Sequence, residues 1–238
     1  MAQPPIARKN WSIMRFPILI LHICAGVLGV LSGAGAMSFR KGSQLHRVTG
    51  RVFFVAMLAM GLSASYLGML KGQSGLGGLL ACYLVTTGWF TARQRNGETT
   101  VFDWVALLFP LAFGVLTLVG GIQAAISSKG TFNGDSTGKL FFWSCVGFLF
   151  AAADVRMIMR GLSDTQRVVR HLWRMCVSFF VATGSFFLGQ QQVFPKAWRG
   201  SIVWFIPAFL PLAVMIFWLV RLSSTNVYKK KVGVLSLD

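Results

Sequence analysis

The chain has 238 residues, of which 55% are hydrophobic and only 12% charged, with 23 Lys and Arg against 6 Asp and Glu. A soluble domain carries roughly 25% charged residues to coat its surface, so this composition excludes a water-exposed globule and points to segments that face lipid. The basic excess does not signal a nucleic-acid partner, because it is spread over short segments between apolar runs, as expected of loops beside anionic lipid headgroups.

Seven apolar runs reach or approach the roughly 20 residues that a spanning helix needs: 16–38, 50–70, 75–91, 101–126, 140–159, 172–190 and 201–220. They predict an all-α polytopic transmembrane bundle of about seven spanning helices over 1–221, followed by a basic cytoplasmic tail at 222–238. The first run follows Arg8, Lys9 and Arg15 and ends near Ala34-Gly35-Ala36, as a secretory signal would. Its apolar core from Phe16 to Ser32 exceeds the roughly 7–15 residues of such a signal, so a retained helix is expected. Within it Ala25, Gly29 and Gly33 recur every fourth residue, a spacing that lets another backbone approach closely in lipid. The partner is another helix of this chain, a second copy, or a subunit of a larger membrane complex.

The second run opens on SQLHRVTGRVF, Ser43 to Phe53, with His46 four residues before Gly50. His22 and Gly26 repeat the same HxxxG spacing in the first run. On a helix it leaves a flat recess beside the imidazole, suited to a b-type haem, a packed aromatic ring or another backbone. Asp103 stands at the entry to the fourth run, which also contains Pro110. The loop SSKGTFNGDSTGK, Ser127 to Lys139, is rich in Gly, Ser and Thr and is expected to be mobile. Asp154 and Arg156 lie near the end of the fifth run.

Before the sixth run, Arg167, Arg170, His171 and Arg174 follow the i, i+3, i+4, i+7 spacing of one helical face. Such a stripe suits a multi-oxygen anion: a lipid phosphate, haem propionates or a phosphorylated metabolite. The simpler reading is an arginine-rich loop whose side chains pair with Asp103, Asp154 and lipid. In the last run Pro207 and Pro211 are expected to bend the helix.

Segments 39–51, 93–95, 156–174 and 221–231 hold fifteen of the 23 Lys and Arg, against eight in the alternate segments. The positive-inside rule then places the C-terminus in the cytoplasm and, with seven helices, the N-terminus outside. Ionisable groups within spans cost roughly 2.5–3.5 kcal/mol on insertion scales, so each one needs a reason. At ~1.5 Å rise per residue, His22 and His46 differ by roughly 25 Å in depth and cannot share a ligand. His46 and His171 both sit at the cytoplasmic boundary. They are the candidate metal ligands, with Arg170, Arg174 and Gly50 completing a cofactor site. His22, Asp103, Asp154, Arg156 and Arg167 form the remaining polar set.

Cys24, Cys82, Cys145 and Cys176 lie within apolar runs and form no CxxC, so neither disulfides nor zinc are implied. The absence of GxSxG, HExxH and P-loop motifs argues against a conventional hydrolase or kinase.

Two stretches, LHICAGVLGVLSGAGAM with LHRVTGRVFFVAML, and RHLWRMCVSFFVATGSFFLGQ with a following FP, resemble bacterial membrane proteins grouped as domain of unknown function 2306. The resemblance covers roughly a quarter of the chain, implies a bacterial inner-membrane protein and brings no activity with it. The bundle also resembles cytochrome b561-like proteins, which hold two haems through four histidines. This chain has only His22, His46 and His171, enough for one bis-histidine haem. Three functions follow as expectations: a redox bundle holding one b-haem or a quinone; a carrier or receptor for a lipid or small anion; and a non-catalytic scaffold.

Overall fold

The computed structural model describes residues 5–94 and 99–224, with side chains from Arg15 onward. The described residues fold into seven α-helices: α1 (Pro5–Ser38), α2 (Gln44–Leu70), α3 (Leu76–Arg93), α4 (Val101–Ile126), α5 (Thr137–Arg160), α6 (Asp164–Phe187) and α7 (Phe205–Ser224). Five of them, at Arg15–Ser38, Gln44–Leu70, Val101–Ile126, Thr137–Arg160 and Ile202–Ser224, are long and apolar enough to cross a membrane. Most of the basic tail expected at 222–238 lies outside the described residues.

The other two helices, α3 and α6, form the centre. They pack on each other, α3 also on α2 and α4, and α6 also on α1 and α7. Enclosed by protein, they need not be uniformly apolar. Among its large apolar side chains α3 exposes only Phe90, whereas α1, α2, α4 and α7 present rows such as Leu28, Val55, Leu108 and Phe217 outward. Phe53 and Met57 of α2, Ala81 and Val85 of α3, and Phe179 and Ala182 of α6 make one core cluster. Leu80, Tyr83 and Leu84 of α3 with Phe113 of α4 make another.

Capping explains why two helices begin before their apolar runs. The Ser43 hydroxyl accepts from the His46 amide at 3.2 Å and starts α2 at Gln44 rather than near Gly50. Ser163 and Gln166 form a capping box that starts α6 at Asp164, eight residues ahead of its apolar stretch. Hydropathy marks only the greasy part of a helix; its polar first turns are set by such caps. The Gly- and Ser-rich loop contains a small hairpin, with Thr131 opposite Ser136 and Phe132 opposite Asp135. Its two-residue turn, Asn133-Gly134, has positive φ at both positions (50° and 81°), the geometry Asn-Gly favours.

Glycines set the closest helix approaches. An ideal Cβ on Gly61 would lie 2.7 Å from the Gly78 carbonyl oxygen, and one on Gly147 would lie 2.8 Å from Gly114 Cα. A methyl at Gly78 would meet the Gly61 carbonyl and the Ser65 amide, backbone atoms that cannot move without shifting α2. Gly78→Ala should therefore cost about 1–3 kcal/mol by overpacking, read as a lower unfolding midpoint in mixed micelles. Gly77→Ala, with nothing within 4 Å of its Cβ position, should not lower it. On α1 the glycine face is covered from within the chain: Gly29 by Ala56 and Met57 of α2, Gly33 by the Phe179 ring.

Candidate functional site

His46 lies in the first turn of α2, and its Nδ1–H donates to the Ala36 carbonyl near the end of α1 at 2.9 Å. His171 lies two turns into α6, and its Nδ1–H donates to the Gly88 carbonyl of α3 at 3.0 Å. A carbonyl only accepts, so each bond fixes the proton on Nδ1 and leaves the lone pair on Nε2. Neither Nε2 has a hydrogen-bond partner among the described residues. Both side chains line one cavity of about 550 Å³ at the basic end of the bundle, within the size range of ligand pockets.

Five helices wall this cavity. Gly33 and Met37 come from α1, Gly50 and Phe53 from α2, Trp89 from α3, Met175 and Phe179 from α6, and Trp218 from α7. A Cβ placed on Gly50 would meet nothing within 4 Å, so the recess beside His46 is open space. Lys41, Arg47, Arg51, Arg93 and Arg167 also line the cavity. The Lys41 ammonium donates to the Met37 and Ala36 carbonyls at 2.7 and 3.2 Å, closing the C-terminus of α1, where the helix dipole favours a cation. Partial burial pushes its pKa down. Arg93 stacks 4.3 Å from the centre of the Trp89 ring. Arg167 donates to the Gln94 carbonyl and pairs with Asp164 at 3.4 Å, tying α6 to the end of α3.

Arg170 and Arg174, expected beside the histidines, turn the other way. They line a separate crevice of about 290 Å³ between α5 and α6. There Asp154 Oδ1 accepts from Arg170 Nη2 at 2.9 Å and from Arg174 Nη2, and Oδ2 accepts from the Tyr83 hydroxyl. Arg174 is wholly buried. It donates further to Thr87 Oγ1 and, at 3.1 Å, to the Tyr83 hydroxyl, with its guanidinium 4.9 Å from both the Tyr83 and Trp173 rings.

The split follows from helix geometry. The i, i+3, i+4, i+7 residues span an arc of about 100°, with Arg167 and His171 at one edge and Arg170 and Arg174 at the other. Helix α3 lies along the middle of that arc. Its Gly88 packs so closely that an added Cβ would sit 3.1 Å from Arg174 Cβ, while its carbonyl accepts from His171.

The other expected polar residues separate too. Asp103 is buried as a cap of α4, accepting from Gln94 Nε2 at 2.8 Å and from the Thr100 amide and hydroxyl at 2.9 and 3.0 Å. Arg156 is exposed and lines the α5–α6 crevice. The His22 Nδ1–H faces the Met60 carbonyl at 3.2 Å and Ser63 Oγ at 3.1 Å. These lie roughly 25 Å along α2 from His46 at about 1.5 Å per residue, so His22 belongs to neither cavity.

Sequence reasoning passed over Tyr83, Thr87, Lys41, Trp89 and Trp218. Tyr83 and Thr87 stand among other hydroxyls of the same run, Thr86 and Thr91, and nothing in the sequence sets them apart. No family model, curated protein or solved structure matches the chain.

Proposed function

We propose that this is a seven-span protein of the bacterial inner membrane, N-terminus outside and C-terminus cytoplasmic, that binds one b-type haem or a quinone between His46 and His171. The observation that carries the reading is the pair of imidazoles, each with Nδ1–H held by a backbone carbonyl and Nε2 without a partner among the described residues, lining one cavity. A histidine that binds a metal nearly always donates its second ring nitrogen in this way. A quinone would use the same two atoms as hydrogen-bond acceptors in its quinol form. Lys41, Arg47 and Arg93 supply cations for propionates or for a reduced headgroup, and Phe53, Trp89 and Phe179 exclude water. Either group would supply electron transfer; the chain's own part is to hold, orient and shield it.

The proposed topology rests on segments 39–51, 93–95, 156–174 and 221–231, which hold most of the Lys and Arg and which the positive-inside rule assigns to the cytoplasm. The short α3, at ~1.5 Å per residue, is about 27 Å long, close to the roughly 30 Å of the hydrocarbon core. The resemblance to the domain of unknown function 2306 proteins accords with this placement.

A reduced-minus-oxidised visible spectrum of protein purified in mild detergent, with pyridine haemochrome analysis, tests the haem. About one b-type haem per chain is expected. A flat spectrum from folded protein expressed with ample haem leaves the quinone, which solvent extraction of the same sample then seeks. A second reading is a carrier for an amphipathic anion, favoured by apolar walls under a basic mouth. Saturable binding of such an anion by protein free of haem and quinone is the result it predicts.

A further inference from the structure

The α5–α6 crevice contains more positive charge than its own residues balance. Arg156, Arg160, Arg170 and Arg174 line it, and Asp154 is the only carboxylate among its lining residues. Two of the four guanidiniums are buried, and arginine does not shed its charge inside a protein. Asp154 is shared between both and Asp103 acts on Arg170 only without contact, so among the described residues one buried guanidinium has no carboxylate of its own, in a place where unpaired charge is strongly unfavourable.

The hydrogen-bond donors point the same way. Arg170 Nε and Nη1 and Arg174 Nε are buried and find no acceptor among the described residues. Arg170 is 6% exposed and lines the crevice. Unmet donors on charged groups are among the costliest features a fold can retain, and they mark the position of an absent acceptor. Several convergent guanidinium groups match an oxyanion with three or more free oxygens better than a single carboxylate. The wall of Met157, Leu162, Val169 and Trp173 is apolar, which strengthens each ionic contact by excluding water.

We propose that this crevice is a second binding site, independent of the histidine cavity, for a phosphate group. Lipid headgroups and free phosphate share that chemistry. Helices α3 and α6, in contact along Gly88, divide the site from His46 and His171.

The test uses the full chain in a non-ionic detergent at low salt. Radiolabelled inorganic phosphate is measured by equilibrium dialysis, and dihexanoyl phosphatidylglycerol by calorimetric titration. Saturable binding of at least one probe, near one per chain, is expected. The double variant Arg156→Gln/Arg160→Gln alters only exposed side chains and should fold normally. It should weaken binding at least about tenfold, the loss of charge-assisted hydrogen bonds. The control Arg47→Gln/Arg93→Gln, in the histidine cavity, should leave it unchanged. Binding of the lipid alone identifies a headgroup site; binding of inorganic phosphate identifies a site open to free anions. The proposal fails if neither probe saturates, if the Arg156/Arg160 variant binds as well as the parent, or if both double variants weaken binding equally. None of these outcomes depends on a haem or quinone being present.

Discussion

Asp154→Asn is expected to destabilise the bundle by about 3–5 kcal/mol, the range for breaking a buried ion pair by removing one partner. Asp154 is 1% exposed and accepts from Tyr83, Arg170 and Arg174. Asparagine fits the same space but removes the carboxylate that pairs directly with two buried guanidiniums. It also turns one acceptor into an amide donor facing other donors. Tyr83→Phe is the calibrating variant. It takes one neutral donor from the carboxylate and leaves both ion pairs intact, so a smaller loss of about 1.5–3 kcal/mol is expected. Unfolding midpoints in mixed micelles, with helicity followed by circular dichroism, give the comparison. Equal midpoints for Asp154→Asn and the parent would mean that another anion neutralises the arginines. In that case adding inorganic phosphate or phosphatidylglycerol should raise the variant's midpoint more than the parent's.

This ion cluster also shows where the sequence was legible and where it was not. Apolar length alone locates the membrane-type helices, and for α4 the run 101–126 coincides with the helix. It fails at the starts of α2 and α6, because a serine cap can carry a helix through polar residues that hydropathy discounts. Periodicity correctly puts Arg167, Arg170, His171 and Arg174 on one face of α6. What it cannot supply is the position of the neighbouring helix. Gly88 of α3 packs on the midline of the stripe, and that single tertiary fact sends two residues to one cavity and two to another. Asp103 shows the same limit. Its charge suggested a counter-ion, and it does act on Arg170 without contact, but its place three residues after Thr100 makes its direct role that of a cap. Tyr83 was missed for the opposite reason: one hydroxyl in an apolar run is common, and its importance comes only from the carboxylate that α5 brings to it.

The largest functional effects should come from the two histidines of the shared cavity. Their size separates the two ligands proposed there. A haem would be held by both His46 and His171, so His46→Ala or His171→Ala should abolish the b-type band of the purified protein. Free imidazole added during reconstitution should restore part of it. For a quinone, each histidine contributes one hydrogen bond, about 0.5–1.5 kcal/mol. Either variant should then weaken binding by no more than about tenfold, and both together should be needed to remove it. His22→Ala is the internal control. Its imidazole bridges α1 to Met60 and Ser63, roughly 25 Å from His46 along α2, so it should change stability without changing spectrum or quinone content. Loss of the signal in His22→Ala, with His46→Ala unaffected, would move the site to the other end of the bundle and overturn the assignment. His171→Ala needs one further check, because it also removes the bond to Gly88 that helps join α3 to α6. If its unfolding midpoint matches that of His46→Ala while both lose the ligand, the loss lies in the missing Nε2 and not in a loosened centre.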